Sequence, residues 1–407
     1  MRAFILACVL MFASVAGATS ADVPRVLFDK FQNCVVLSHW FNFPTLWDGD
    51  NPSDHMTQND MDMLRAAGFG AISVMLGDNE SNHLFYNPAA PGTPITTYLA
   101  DLYAGFNLAF ENDIAVLMRF HPSDTFKTNL EANTGTEQAD YITFWKAMVA
   151  LVLANTSATP NNLMVSTLDE EPSNAWSQGD WKTFEESMIA GLRTVAPEYT
   201  IHVGFPGTSF WTNVTGGTTR SDSNLTYANH FYSPTQFATQ GQGFASINNI
   251  DIYDLPWPVD AHAKAVAQRG GTTNADSLTA IDTAISDGVD EAEIRDRFRQ
   301  LYVWATANNA KIIVSEFGTS TLTPSTSRQA YLSAMRGHMA SRNFGGCQFS
   351  YDQDGLSGAN RGLMDMTDGG NPGSRAWLPG ILPSVIGVVE GWGSANAAPP
   401  TTTTTVP

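Results

Sequence analysis

Two glutamates each close an apolar, strand-like run, Leu163-Met-Val-Ser-Thr-Leu-Asp-Glu-Glu-Pro172 and Lys311-Ile-Ile-Val-Ser-Glu-Phe-Gly318. A buried strand of this kind delivers its last polar side chain to its C-terminal end. If both strands belong to one barrel, Glu171 and Glu316 face each other across its mouth. Two facing carboxyls about 5–5.5 Å apart can cleave a glycosidic bond with retention: one protonates the leaving oxygen and the other attacks the anomeric carbon.

The elements needed to position such a pair can be read along the chain. Strand-length apolar runs lie at 34–38, 71–76, 114–120, 163–168, 200–205, 226–231, 311–315 and 346–351. Helical faces alternate with them. Leu99, Leu102, Tyr103, Phe106, Ala109 and Phe110 repeat at i, i+3, i+4, i+7, as do Tyr141, Phe144, Trp145, Met148, Leu151 and Val152. Near-continuous apolar strands separated by helices mean a parallel sheet covered on both faces. Eight such units predict the α/β class and a (β/α)8 TIM barrel. An open doubly wound sheet would carry a glycine-rich turn after the first strand, and none is present.

In such a barrel the chemistry sits at the C-terminal strand ends. The polar residues there are Ser38, His39 and Trp40; Arg119 and His121; Asp169, Glu170 and Glu171; His230 and Tyr232; Glu316; and Tyr351 with Asp352. Taken singly, each is as readily a solvated loop residue. Together they exceed what a core tolerates without a role. Trp40, Trp47, Trp211 and Trp257 fall in loops on that side, where exposed indole rings suit the apolar faces of sugars and buried ones would simply pack.

The 407 residues carry a net charge of −19, with 43% hydrophobic residues. That balance argues against nucleic acid or an anionic membrane as partner, since both need a basic face. Residues 1–21 read as a secretion signal: Arg2 precedes an apolar run too short to span a bilayer, and small residues follow. The remainder divides into a catalytic domain over 22–392, with a polar insertion near 251–290 after the sixth strand, and a Pro/Thr-rich tail over 393–407. The insertion reads as an excursion over the cleft. A secreted, extracellular, monomeric protein is the expectation. Cys8 leaves with the signal, and Cys34 and Cys347 sit on the first and last strands, neighbours in a closed barrel. They form either a disulfide or two buried thiols. The histidines are scattered without metal-ligand spacing, so no metal or cofactor is expected.

The segment Asn229-His-Phe-Tyr-Ser-Pro-Thr-Gln-Phe-Ala-Thr-Gln-Gly241 resembles the His-x-Tyr-x-Pro-x-x-Phe-Thr-x-Gln-Gly segment of glycoside hydrolase family 5, the cellulase family of (β/α)8 barrels. Val314-Ser-Glu-Phe-Gly318 resembles that family's nucleophile strand and Glu170-Glu-Pro172 its acid/base strand, with the likeness running over about 30–385. The resemblance implies a retaining enzyme acting on a β-1,4-linked polysaccharide, foremost an endo-β-1,4-glucanase and otherwise a β-mannanase. Within it, Glu171 is the acid/base and Glu316 the nucleophile. His230 and Tyr232 border them, with Tyr232 hydrogen-bonded to Glu316, and His121 lines the sugar side. Three departures stand out. Glu170 replaces an Asn that binds the sugar, Ser73 replaces a strand-two Arg, and Tyr351 stands in for a strand-eight Trp platform. Arg119 shares the parity of His121 and is expected to supply the missing charge. A barrel that binds glycan with impaired catalysis is the competing expectation.

Overall fold

The computed structural model describes residues 22–42, 52, 55–77, 85–87, 90, 92–170, 176–244, 247–288, 290–351, 364–365 and 376–377. Eight parallel strands close into a barrel: β1 (Cys34–Phe41), β2 (Ala71–Gly77), β3 (Ala115–His121), β4 (Leu163–Ser166), β5 (Thr200–Val203), β6 (Leu225–Phe231), β7 (Lys311–Phe317) and β8 (Gly345–Gln348). Each of the eight sequence-predicted strands is present, and the (β/α)8 expectation holds. The helices that matter below are α1 (Arg25–Lys30), α2 (Gln58–Ala66), α3 (Leu99–Glu111), α4 (Asp124–Ala132), α5 (Glu137–Asn155), α6 (Gln178–Arg193), α7 (Trp211–Gly216), α8 (Thr235–Ala238), α9 (Ala263–Arg269), α10 (Ala275–Ser286), α11 (Glu291–Ala307) and α12 (Ser325–Ala340).

Strand parity sorts the core into two parts. One alternation of residues faces the barrel axis and includes Cys34, Val36, Ala71, Met75, Ala115, Leu117, Met164, Ile313 and Cys347. The other faces the helices and includes Val35, Leu37, Ile72, Val74, Val116, Met118 and Val165. Both faces are apolar, as a parallel sheet buried on both sides requires. The predicted face of α3 is confirmed where Leu99, Leu102, Phe106 and Ala109 are buried.

The segment 251–290 is more ordered than its polar composition suggested. It forms α9 and α10, and Ile252, Leu255, Trp257 and Val259 are buried. Trp257 packs against Phe237 and Tyr331, with ring centroids 5.5 and 5.2 Å away. The insertion therefore leans on α8 and α12, and Trp257 is a packing residue rather than a sugar platform. Gln240, with no exposed surface, holds it there: its amide donates to the Leu255 carbonyl at 2.8 Å and accepts from the Leu255 N–H at 2.8 Å. The C-terminal boundary and the tail predicted at 393–407 lie outside the described residues, as does the N-terminal signal.

Cys34 and Cys347 are directly paired across β1 and β8 and are joined by a disulfide. The bond links the first strand to the last, across a sequence separation of 313. Closing so long a loop removes much of the freedom of the unfolded chain, about 6 kcal/mol in the chain-entropy account. Replacing both cysteines by serine is expected to lower stability by up to that amount. Urea unfolding of the variant beside the oxidised wild type measures it.

Candidate active site

The C-terminal ends of β3, β4, β6 and β7 converge on a cluster of charged side chains. Arg119 lies level with Met75 and shares its inward parity, so the strand places a guanidinium in the barrel interior with no exposed surface. Its Nη1 donates to Asp169 Oδ1 at 2.7 Å and to Glu316 Oε1 at 3.0 Å. Burial disfavours the charged guanidinium, but Asp169 and Glu316 outweigh it and hold Arg119 protonated. Asp169 is driven the other way. Burial raises its pKa, but Arg119, His121 and His230 more than compensate, and the carboxyl lies well below the usual carboxylate range.

Glu316 reaches this cluster because β7 carries one extra residue. Val314 pairs with Asn229, yet Glu316 rather than Ser315 pairs with His230, and the register to β8 shifts at the same place. Without that bulge Glu316 would sit level with Phe231, which faces the helices. The bulge re-aims the carboxylate into the mouth. There Tyr232 Oη donates to Glu316 Oε2 at 3.0 Å, as the sequence motif implied, and His230 Nδ1 stands 3.8 Å from the same oxygen. Two residues on, Gly318 is required by a close approach: a Cβ there would meet the Phe349 carbonyl oxygen at 2.5 Å. The Glu-Phe-Gly motif thus combines a functional group with a packing constraint from β8.

β4 is short, and its continuation is pinned from several sides. Tyr141 and Trp145 of α5 donate to the carbonyls of Thr167 and Ser166, at 2.6 and 2.7 Å. The Asp169 N–H donates to the Phe120 carbonyl at 2.9 Å. Asp169 Oδ2 meets His121 Nδ1 at 3.0 Å. Glu170 follows in the left-handed region at φ 51°, uncommon for a non-glycine residue. Its carboxylate faces Lys127 Nζ at 3.5 Å and His121 Nε2 at 3.9 Å. Burial works against its charge, but His121, Lys127 and His230 prevail and keep its pKa below the ordinary value. Glu171, the expected acid/base, lies outside the described residues, as does Trp47.

Of the other predicted site residues, His121, Glu170, His230, Tyr232 and Arg119 join Glu316 in this one cluster. Trp40 and Tyr351 do not. Trp40 is 1% exposed, faces the helices, and donates its indole N–H to the Pro52 carbonyl at 2.8 Å. Its ring occupies the space where a Cβ on Gly105 of α3 would lie. Tyr351 is fully buried with its hydroxyl on Asp60 Oδ1 at 2.7 Å. The alternation of β8 stops at Gln348, so parity no longer predicts direction three residues later. Phe349, the first aromatic after β8, is partly buried against the barrel interior. Lys127 was not singled out by sequence, and Asp169 was named among the strand-end polar residues without a role. Asp169 sits beside two other acids, and Lys127 belongs to α4, which only the fold brings to the mouth.

Asp169, His230 and Glu316 place one ligand atom each within 4.8 Å of one another, a spacing that could hold a cation. Arg119 Nη1 already stands between the two carboxylates and supplies that positive charge.

Residues 29–355 match the family described as Cellulase (glycosyl hydrolase family 5). The chain belongs to glycoside hydrolase family 5. Among curated proteins it is similar to Endoglucanase 3 of Fibrobacter succinogenes, 27% identical over 241 residues, which covers 57% of this chain and 35% of that protein. The chain therefore spans about a third of the length of that relative. Among solved structures, a hyperthermophilic endo-β-1,4-glucanase in complex with substrate aligns with TM-score 0.67 at 15% identity, covering 89% of this chain and 99% of that one. Thermotoga maritima Cel5A with mannotriose gives 0.65 at 14%, covering 89% and 100%. The Clostridioides difficile cellulose synthase subunit Z gives 0.65 at 17%, covering 87% and 99%. These likenesses establish the barrel fold. His230, Tyr232 and Glu316 of the strand-six and strand-seven motifs fall in the cluster just described, and Ser73 is buried on the inner parity of β2.

Two measurements probe the cluster's physics. Arg119→Met leaves two buried carboxylates without their cation and is expected to cost roughly 3–5 kcal/mol in urea unfolding. His202, buried on β5 with Nδ1 against Thr226 Oγ1 at 2.9 Å, has its pKa pushed down to about 3 by burial and by Arg119. Its folded pKa lies below the unfolded value of about 6.5, so the unfolded chain takes up that proton first. Stability should therefore fall by up to about 1.4 kcal/mol per pH unit between roughly pH 6.5 and 3. His202→Gln should flatten that part of the profile.

Proposed function

We propose that this family-5 chain is a secreted, retaining endo-β-1,4-glucanase with Glu316 as nucleophile and Glu171 as acid/base. The observation that carries the reading is the double tether of Glu316: Arg119 addresses one oxygen at 3.0 Å and Tyr232 the other at 3.0 Å. A nucleophile gains from a fixed orientation and from donors that are already in place before the reaction. Glu170, between Lys127 and His121, is held in its charged form, and a proton donor needs the opposite. That leaves the next residue, Glu171, as the donor on the same strand end. The disulfide Cys34–Cys347 supports an oxidising compartment and hence secretion.

In the first step a Glu316 oxygen attacks the anomeric carbon, the glycosidic C–O bond breaks, and Glu171 gives its proton to the leaving oxygen. In the second, Glu171 takes a proton from water, which attacks the same carbon and frees Glu316. Arg119 and Tyr232 serve both steps by holding the carboxylate in line. A mannan substrate is the second reading, favoured by the Cel5A barrel, whose structures include complexes with mannotriose and with cellobiose.

Carboxymethylcellulose, glucomannan and mannan incubated with wild type should release reducing sugar, fastest from the glucans. Glu316→Gln should lower the rate by roughly 10³-fold or more. Binding without release from any of the three would refute the enzymatic reading. Arg119→Lys keeps the charge but loses the fork geometry, and is expected to lower kcat by on the order of 10²-fold with little change in KM.

A further inference from the structure

We propose that Asp169 is a positioning residue of the reaction, a single carboxylate that fixes both the Arg119 guanidinium holding Glu316 and the tautomer of His121. This deepens the glycanase reading and rests on it. Asp169 contacts three consecutive residues of β3. Its Oδ1 accepts from Arg119 Nη1 at 2.7 Å, its N–H donates to the Phe120 carbonyl at 2.9 Å, and its Oδ2 meets His121 Nδ1 at 3.0 Å. The regular pairing of β3 with β4 ends earlier, at Met118 and Val165. Asp169 thus carries the contact between these strands on to the mouth, two residues before Glu171. The nucleophile's cation and the strand end that leads to the acid/base share one anchor.

The chemistry of a carboxylate decides what each contact does. An ionised carboxylate accepts hydrogen bonds and donates none. Asp169 is ionised: burial opposes its charge, and Arg119, His121 and His230 outweigh that opposition. Its Oδ2 therefore requires a proton on His121 Nδ1. That leaves His121 Nε2 as the nitrogen turned toward Glu170 Oε2, 3.9 Å away. On the other side, the same Arg119 Nη1 that meets Asp169 reaches Glu316 Oε1 at 3.0 Å. Arg119 Nε and Nη2 are buried without a hydrogen-bond partner among the described residues, so the two carboxylates at Nη1 orient the fork. His230 from β6 completes the surroundings, with Nε2 3.8 Å from Asp169 Oδ1. Buried ion pairs contribute little net stability beside well-packed apolar side chains of similar size. A carboxylate that is 4% exposed and directs each oxygen to a different site residue is accounted for by orientation rather than by stability.

Heteronuclear NMR of the imidazole nitrogens tests the assignment on the wild-type chain, with His121→Gln identifying the His121 signals. Above its titration, His121 should carry its proton on Nδ1. In Asp169→Asn the amide oxygen stays on Arg119 and its NH2 turns to the ring, so the proton should move to Nε2. On carboxymethylcellulose, Asp169→Asn is expected to lower kcat by on the order of 10²-fold with KM changed by no more than about threefold. Residues that act as a unit are non-additive, so the double variant with Arg119→Lys should be little slower than the worse single one. With wild-type hydrolysis intact, any of four results overturns the positioning role alone: a proton on Nε2 in neutral wild type, an unmoved proton in Asp169→Asn, an unchanged kcat, or losses that multiply with Arg119→Lys. The wild-type tautomer decides even if Asp169→Asn fails to fold. Wild type that hydrolyses no glycan overturns the glycanase reading, and the role in that reaction falls with it.

Discussion

The arrangement at the barrel mouth depends on one buried guanidinium. Arg119 Nη1 lies between two carboxylates, at 2.7 Å from Asp169 and 3.0 Å from Glu316, with almost no exposed surface on any of the three. Two anions so close in a low-dielectric interior would repel strongly without a cation between them. With it, each carboxylate has an orientation and a partner. Charge then propagates outward: Asp169 engages His121, His121 approaches Glu170, and Glu170 faces Lys127. The site is a chain of paired polar and charged groups anchored at its buried end.

The cation of the cluster sits on a different strand from the one that the sequence resemblance would assign it to. By the sequence resemblance Ser73 stands where the family carries an arginine on β2, and the guanidinium of this cluster comes from β3. The two strands are adjacent and in register, with Ser73 opposite Leu117 and Met75 opposite Arg119, all on the inner parity. What the carboxylates require is a cation at a point in space, and neighbouring strands reach that point comparably well.

The motif after β6 divides by role once the fold is visible. His230 and Tyr232 address Glu316, whereas Phe237 and Gln240 anchor the helical insertion through aromatic packing and a pair of amide hydrogen bonds. A linear pattern cannot distinguish these uses, because both demand a fixed residue type at a fixed spacing. The same ambiguity governs the tryptophans. Trp40 and Trp257 are buried by neighbours far along the chain, Gly105 in one case and Tyr331 in the other.

Local pattern was sufficient for the eight strands, the main helices and the barrel, since apolar continuity and helical periodicity are properties of short segments. Parity within a regular strand was enough to aim Arg119 inward, and the first-and-last-strand argument brought Cys34 and Cys347 together. Parity failed where strands stop being regular. The extra residue in β7 decides that Glu316 faces the mouth, the end of β8 at Gln348 lets Tyr351 turn into the core, and the left-handed turn at 207–209 sets Phe210 beside His230. Those directions arise from register between strands and from hydrogen bonds across the barrel, long-range constraints that residue types along one segment do not encode.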